Sequence, residues 1–200
     1  MNDITELITF PRPTSEQPLP DQSEIVFAGK IFTVHQWSQT LYDGTQATFE
    51  KLSRNDSVGI LAVTEDKKII VTKQEQPSMR PFYSLLGGVI DPGEVPIQTA
   101  HRELLEEAGA TTKQLELWFS TQPITKIDWA IYMFIAKEVK LDRVQRLDAG
   151  ERIELFFFSF EEFLSLVVQE DFRDFEVSLR VLRMLQQGKK AELEALLFDS

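Results

Sequence analysis

Three glutamates, Glu103, Glu106 and Glu107, stand in the short run R-E-L-L-E-E, downstream of a glycine-rich stretch G-G-V-I-D-P-G-E that begins at Gly87. Pro96 suits a first helical turn and Gly109 a C-terminal stop, so the spacing predicts a helix from about Pro96 to Ala108. At about 100° per residue the three glutamates fall within one narrow arc, while Ile97, Ala100, Leu104 and Ala108 gather on another side. Carboxylates so crowded repel one another by tenths of a kcal/mol per i,i+4 pair, and Arg102 at the edge of the arc offsets only part of this. A run of acids on a helix is ordinarily a solvated face. A cluster this tight also suits a hard divalent cation such as Mg2+, which takes oxygen ligands.

The rest of the chain must position that helix. Its 200 residues, 42% hydrophobic, suffice for one catalytic domain with a substantial core. A formal net charge of -11 argues against nucleic-acid or anionic-membrane partners, which need a basic patch. No apolar run approaches the length of a membrane span, and the N-terminus, with Asp3 and Glu6, does not read as a signal peptide; a cytoplasmic protein is expected. The absence of cysteine removes disulfides, thiolate zinc sites and thiol nucleophiles.

Four prolines among polar residues mark 1–22 as an extended or loosely attached arm. Residues 23–54 read as a β-hairpin extension, with Ile31–Val34 and Thr48–Leu52 on either side of an Asp43-Gly44 turn. The main domain, 55–200, continues with short strands at Ser57–Val63, Lys68–Thr72 and Phe82–Leu86, and after the acidic helix at Leu115–Ser120 and Ile131–Ala136. Ile153–Phe160 reads as a strand whose Phe156-Phe157-Phe158 fills both sides of a buried sheet. Helices follow over 161–169 and 172–187, with a last short one around Leu193–Leu197. A mixed sheet with the acidic helix on one face and a C-terminal helix on the other is the layered arrangement these elements favour.

From Gly88 the chain fits G-x5-E-x7-R-E-U-x-E-E-x-G-U, where U is aliphatic, with Glu94, Arg102, Glu103, Leu104, Glu106, Glu107 and Gly109 in register. At average residue frequencies a chance match is on the order of one in a million. The pattern resembles the Nudix box, departing from it at Ala110, where the family usually has a larger aliphatic residue. The resemblance implies an α/β/α sandwich and metal-dependent cleavage of a phosphoanhydride in a small nucleotide substrate, with Mg2+ or Mn2+ as cofactor. Carried over residue by residue, Glu103 and Glu107 become the main metal ligands, Glu106 a further ligand or water-orienting base, and the Gly87 carbonyl a backbone ligand. Arg102 orients the acids and Glu94 ties the loop to the helix.

The order of elements resembles the branch that hydrolyses ADP-ribose and other nucleotide sugars. There a glutamate before the last strand serves as base or extra ligand, a position Glu151 occupies. The N-terminal hairpin implies a homodimer, with Trp37 as an adenine platform; Trp118 and Trp129 are further stacking candidates. Gln76 stands where that branch has arginine and Ser84 where it often has glutamate, so Arg54 and Arg80 are candidate phosphate contacts in their stead. Two alternatives use the same box: hydrolysis of a nucleoside triphosphate, and a nucleotide-binding regulator without turnover.

Overall fold

The structure is a computed structural model that describes residues 10–147 and 149–199. The first strands, β1 (Glu24–Ala28), β2 (Thr33–Thr40) and β3 (Gln46–Ser53), form an antiparallel meander. Between β2 and β3 the Asp43 carboxylate accepts the Thr45 N–H at 3.0 Å, closing the Asp-Gly turn. The chain continues through β4 (Ser57–Thr64), β5 (Ile69–Glu75), β6 (Phe82–Ser84) and β7 (Leu86–Val89) into helix α1 (Pro96–Ala108). Beyond it lie β8 (Ala110–Thr111), β9 (Gln114–Thr121), β10 (Ile127–Asp128), β11 (Ile131–Leu141), β12 (Arg152–Phe158), α2 (Phe160–Leu166), α3 (Phe175–Gln186) and α4 (Lys190–Phe198).

β10 adds to β3 to complete a four-stranded sheet, and the central sheet runs β12-β5-β4-β11-β8. β4 and β11 are parallel neighbours, so the sheet is mixed. Alternate residues of β4 serve its two faces: Val58, Ile60 and Ala62 pack with Ala100, Leu104 and Ala108 of α1, while Leu61 and Val63 pack with Phe163, Val177, Val181 and Leu193 of the C-terminal helices. The expected α/β/α layering is the one observed. One expectation fails. β12 is an edge strand, and Phe157 is 46% exposed, so the phenylalanine run covers one face instead of filling two.

The sheet splits where the acidic helix meets it. β4 pairs β5 only at Ala62↔Ile70 and Val63↔Ile69. Beyond that point β6 pairs β5 and β7 pairs β4, so the segment 82–89 enters as a wedge between them. At the break between β6 and β7, the buried Leu85 N–H donates to Asp174 Oδ2 at 2.6 Å. The same segment is gripped on either side, by Tyr83 N–H to Asp171 O and Arg173 N–H to Tyr83 O.

The stretch from Phe10 to Pro20 has no helix or strand, yet it is pinned. Arg12 donates to both oxygens of Asp56 at 2.7 and 2.9 Å and to Asp128 at 3.0 Å, and Lys51, 1% exposed, donates to Ser15 Oγ at 2.6 Å. Asp56 also accepts the Ala130 N–H, so the arm ties the start of β4 to the start of β11.

Burial pushes the Asp174 carboxyl up to about 6, opposed by the Leu85 N–H. A raised carboxyl favours the folded state below its ordinary value and loses that contribution as pH rises through the folded one, so at pH 5 the group is mostly neutral. At that pH Asp174→Ala leaves a buried N–H without an acceptor, at a cost of about 1–3 kcal/mol, or roughly 3–10 °C in melting temperature for a chain this size. Asp174→Asn, which keeps an acceptor oxygen, should lose less than half as much. Calorimetry showing the alanine variant as stable as the parent would remove this bond from the support of the wedge.

Candidate active site

α1 approaches β7 more closely than side chains would ordinarily allow. A Cβ on Gly88 would lie 2.1 Å from Glu103 Oε1, so a side chain there would displace the Glu103 carboxylate. Glu107, 5% exposed, accepts the Gly87 N–H at 2.8 Å. At the C-terminus of α1, Gly109 takes a left-handed φ of 60°, and a Cβ on it would meet Arg143 O at 2.3 Å. There the loop after β11 is sewn onto the helix, with Arg143 N–H on Gly109 O, Arg146 N–H on Glu106 O, and the Gln145 amide on Glu107 O. This stitching brings Arg146, Leu147 and Glu151 to the wall of a cavity of about 390 Å³, opposite Gly87, Gly88, Glu103, Glu106 and Glu107. Gln74 and Gln76 of the β5 end close its side.

Arg102 is the hub of the cluster. Its guanidinium donates to Glu94 at 3.1 Å, Glu103 at 2.8 Å and Glu106 at 3.0 Å, and to the Val89 carbonyl. Hydrogen bonding to Glu94 raises the already high pKa of the guanidinium and holds the Glu94 carboxyl below its usual range. Glu94 also accepts from Thr99 Oγ1 at 2.7 Å, so the turn before the helix is locked to its first and second turns. Burial raises the Glu103 carboxyl against the pull of Arg102. Glu107, more deeply buried, is pushed up to about 8 by desolvation, opposed by the Gly87 N–H and reinforced by the charges of Glu103, Glu151 and Asp174.

The structure thus brings together Gly87, Arg102, Glu103, Glu106, Glu107 and Glu151. None of the substrate-contact candidates, Trp37, Trp118, Trp129, Arg54 and Arg80, lines this cavity. Trp37 is 6% exposed, packed on Phe49 within the N-terminal sheet. Arg54 lies over the Trp129 ring at 4.9 Å, and Arg80 is exposed in the turn between β5 and β6. Sequence reasoning passed over Arg146, Gln74 and Asp174. A basic residue five positions before Glu151 in the same loop is a weak signal for the first; Asp174, far from its partner Leu85 in the chain, left none.

The profile of the NUDIX domain matches residues 53–179. The chain belongs to the Nudix family. An ADP-ribose pyrophosphatase of Bacillus subtilis (strain 168) is 33% identical over 155 residues, which span 76% of this chain and 83% of that one. A methanol dehydrogenase activator of Bacillus methanolicus is 26% identical over 174 residues, 84% of this chain and 94% of that protein. Among solved structures, an ADP compounds hydrolase superposes with a TM-score of 0.69 at 20% identity, covering 88% of this chain and 98% of the other, which supports the fold. The chain is a Nudix pyrophosphohydrolase, and Gly88, Arg102, Glu103, Glu106 and Glu107 of its box line the cavity.

Because the folded pKa of Glu107 lies near 8, above the ordinary 4.5, this group's contribution to stability is lost as pH rises through about 8. In chelator, Glu107→Gln should therefore melt close to the parent at pH 5 and several degrees above it at pH 9. A variant that tracks the parent at both pH values would mean that the carboxylate is solvated.

Proposed function

We propose that the protein hydrolyses the pyrophosphate bond of a nucleoside diphosphate linked to another moiety, ADP-ribose or another nucleotide sugar, to a nucleoside monophosphate and a sugar phosphate. The observation that carries this reading is the convergence of Glu103, Glu106, Glu107 and Glu151 on one cavity beside the Gly87–Gly88 backbone. The name of the Bacillus subtilis relative supports the choice of substrate.

The residues fit a divalent cation, Mg2+ or Mn2+. Among the described residues no three acidic or histidine side chains are already drawn into ligand geometry. The reason is local: Glu103 and Glu106 are turned onto Arg102, and Glu107 onto the Gly87 N–H. Glu107 is buried facing other acids, an environment that a bound cation relieves. Glu103 and Glu107 would be the main ligands, Glu106 a further one, and the Gly87 carbonyl a backbone donor. The cation would neutralise charge on the diphosphate and make an attacking water more acidic.

The chain's own groups supply the rest. Arg102, anchored by Glu94, holds Glu103 and Glu106 at the cavity wall. Arg146 lines the same wall and is placed to meet a phosphate oxygen. Glu151, on the loop stitched to α1, is the candidate base that takes a proton from water. A homodimer is part of this reading, and the N-terminal sheet supports it: β1 is an edge strand whose Ile25, Val26 and Phe27 are each more than half exposed, an unprotected apolar edge suited to a second copy. No described helix is long and apolar enough to cross a membrane, and a cytoplasmic location is the one proposed.

Purified protein with Mg2+ should turn over at least one member of a panel of nucleoside diphosphate derivatives, and no phosphate-ester product from any of them would sink the reading. Pyrophosphate from a triphosphate would instead mark a triphosphate hydrolase. Glu107→Gln should lower turnover by about a thousandfold, and Glu151→Gln by about a hundredfold with metal affinity retained. Since Glu107 holds its proton at pH 7, adding Mg2+ in weak buffer should release protons from the parent and fewer from Glu107→Gln. Sedimentation should show a dimer at micromolar concentration that Phe27→Asp converts to monomer; a monomeric parent would refute the assembly.

A further inference from the structure

A second cavity, of about 340 Å³, lies on the other face of the central sheet, under the start of α3. Its walls are mostly apolar, from Pro123, Ile124, Trp129, Ile131 and Met133. It lies at the same end of the sheet as the glutamates. Val58 and Gly59 line it, Gly87 and Gly88 line the acidic cavity, and these residues pair directly, Val58↔Gly88 and Gly59↔Gly87. Paired Cα atoms in such a ladder lie about 4.5–5.5 Å apart, so the two spaces adjoin the same strand pair at its end. From this geometry we infer that the apolar cavity beside Trp129 receives the nucleobase of the substrate, while the diphosphate and sugar occupy the acidic one. The inference rests on the proposed nucleotide substrate.

The polarity of the two spaces assigns the halves. Ligand pockets of this volume are typically apolar with a few polar groups that fix orientation, which suits a flat heteroaromatic ring. The acidic cavity, with Gln74, Gln76, Arg146 and the carboxylates, suits phosphates and a polyol. Trp129 is held in a fixed orientation, since its Nε1–H donates to Ser57 Oγ at 3.0 Å and Arg54 lies over the ring. Met133 packs on Gly59 so closely that a Cβ there would lie 2.5 Å from its sulfur, which sets a polarisable thioether into the cavity wall. Glu176 and Asp174, at the start of α3, line the same space and offer acceptors to an exocyclic amino group, outnumbering the one cationic donor there, Arg173, which lies over Phe82, so the lining favours adenine over hypoxanthine. The other two tryptophans are committed elsewhere: Trp37 packs on Phe49, and Trp118 on Phe119 with Arg180 over its ring.

The test reads the three tryptophans separately. In 1H–15N spectra their indole signals are assigned by single Trp→Phe substitutions, and adenosine monophosphate is titrated into the parent in chelator. The Trp129 signal should shift and saturate while those of Trp37 and Trp118 stay in place, and inosine monophosphate should bind several-fold more weakly. Trp129→Leu should raise KM for a turned-over adenine nucleotide by about tenfold to a hundredfold with kcat changed less than about threefold. A shift at Trp37 in place of Trp129, no shift at all, or an unchanged KM in a folded Trp129→Leu would overturn the inference. The spectra of the parent decide if that variant fails to fold. Turnover with metal alongside a silent Trp129 refutes the base site alone, whereas absence of turnover on every substrate refutes the functional reading and leaves the binding result standing.

Discussion

The contact on which the site depends is the one between α1 and β7, where Gly88 leaves no room for a side chain under Glu103 and the Gly87 N–H donates to Glu107. This approach excludes water from two carboxylates that lie side by side on the helix. Desolvation raises the proton affinity of both, and the charge of Glu103 raises that of Glu107 further. The wedge of β6 and β7 between β4 and β5 exists to bring that backbone to the helix, and its bend at Leu85 would expose an orphan N–H without Asp174. One close contact therefore sets demands on a glycine pair, on a split in the sheet and on a carboxylate in the C-terminal third of the chain.

The helix adds to the negative potential. Glu103, Glu106 and Glu107 sit in its C-terminal half, where the backbone dipole is already negative, and the last turn holds no basic residue. Loop donors from Arg143 to Arg146 satisfy the end carbonyls, yet backbone amides carry no full charge to answer the acids. Arg102 is thus the principal internal counter-charge, shared among Glu94, Glu103 and Glu106. Sharing one guanidinium three ways leaves Glu107 without a cationic partner among its hydrogen bonds, and it is Glu107 whose carboxyl is displaced furthest toward the neutral form.

Local signals carried most of what could be read in advance. Pro96 and Gly109 bounded α1 correctly because helix termini depend on residues within a turn of the end, and the Asp43-Gly44 turn was placed correctly between two strands, although the first runs on to Thr40 instead of stopping at Val34. The acidic arc was visible because helical periodicity turns spacing into geometry. What escaped depends on partners distant in sequence. Phe156-Phe157-Phe158 suggested a strand covered on both faces, but whether a strand is central or at the edge is decided by the pairing of other strands. Trp37 and Trp129 are equally aromatic as letters, and only the packing of Trp37 on Phe49 and the opening beside Trp129 tell them apart.

A second line of argument reaches the site without the motif. Folding alone would favour neutral residues at 103, 106 and 107, since three acids near a negative helix end, two of them desolvated, oppose the folded state. The surrounding structure is nonetheless elaborated to hold them: a glycine pair for clearance, an arginine fixed by Glu94 and Thr99, and a loop stitched to the helix end that carries a further acid, Glu151, toward them. Where local choices conflict with stability and the neighbouring structure reinforces the conflict, the cluster serves something outside the fold. The missing term is positive charge, which under the proposed reading a cation arriving with an anionic substrate would supply to acids and phosphates together.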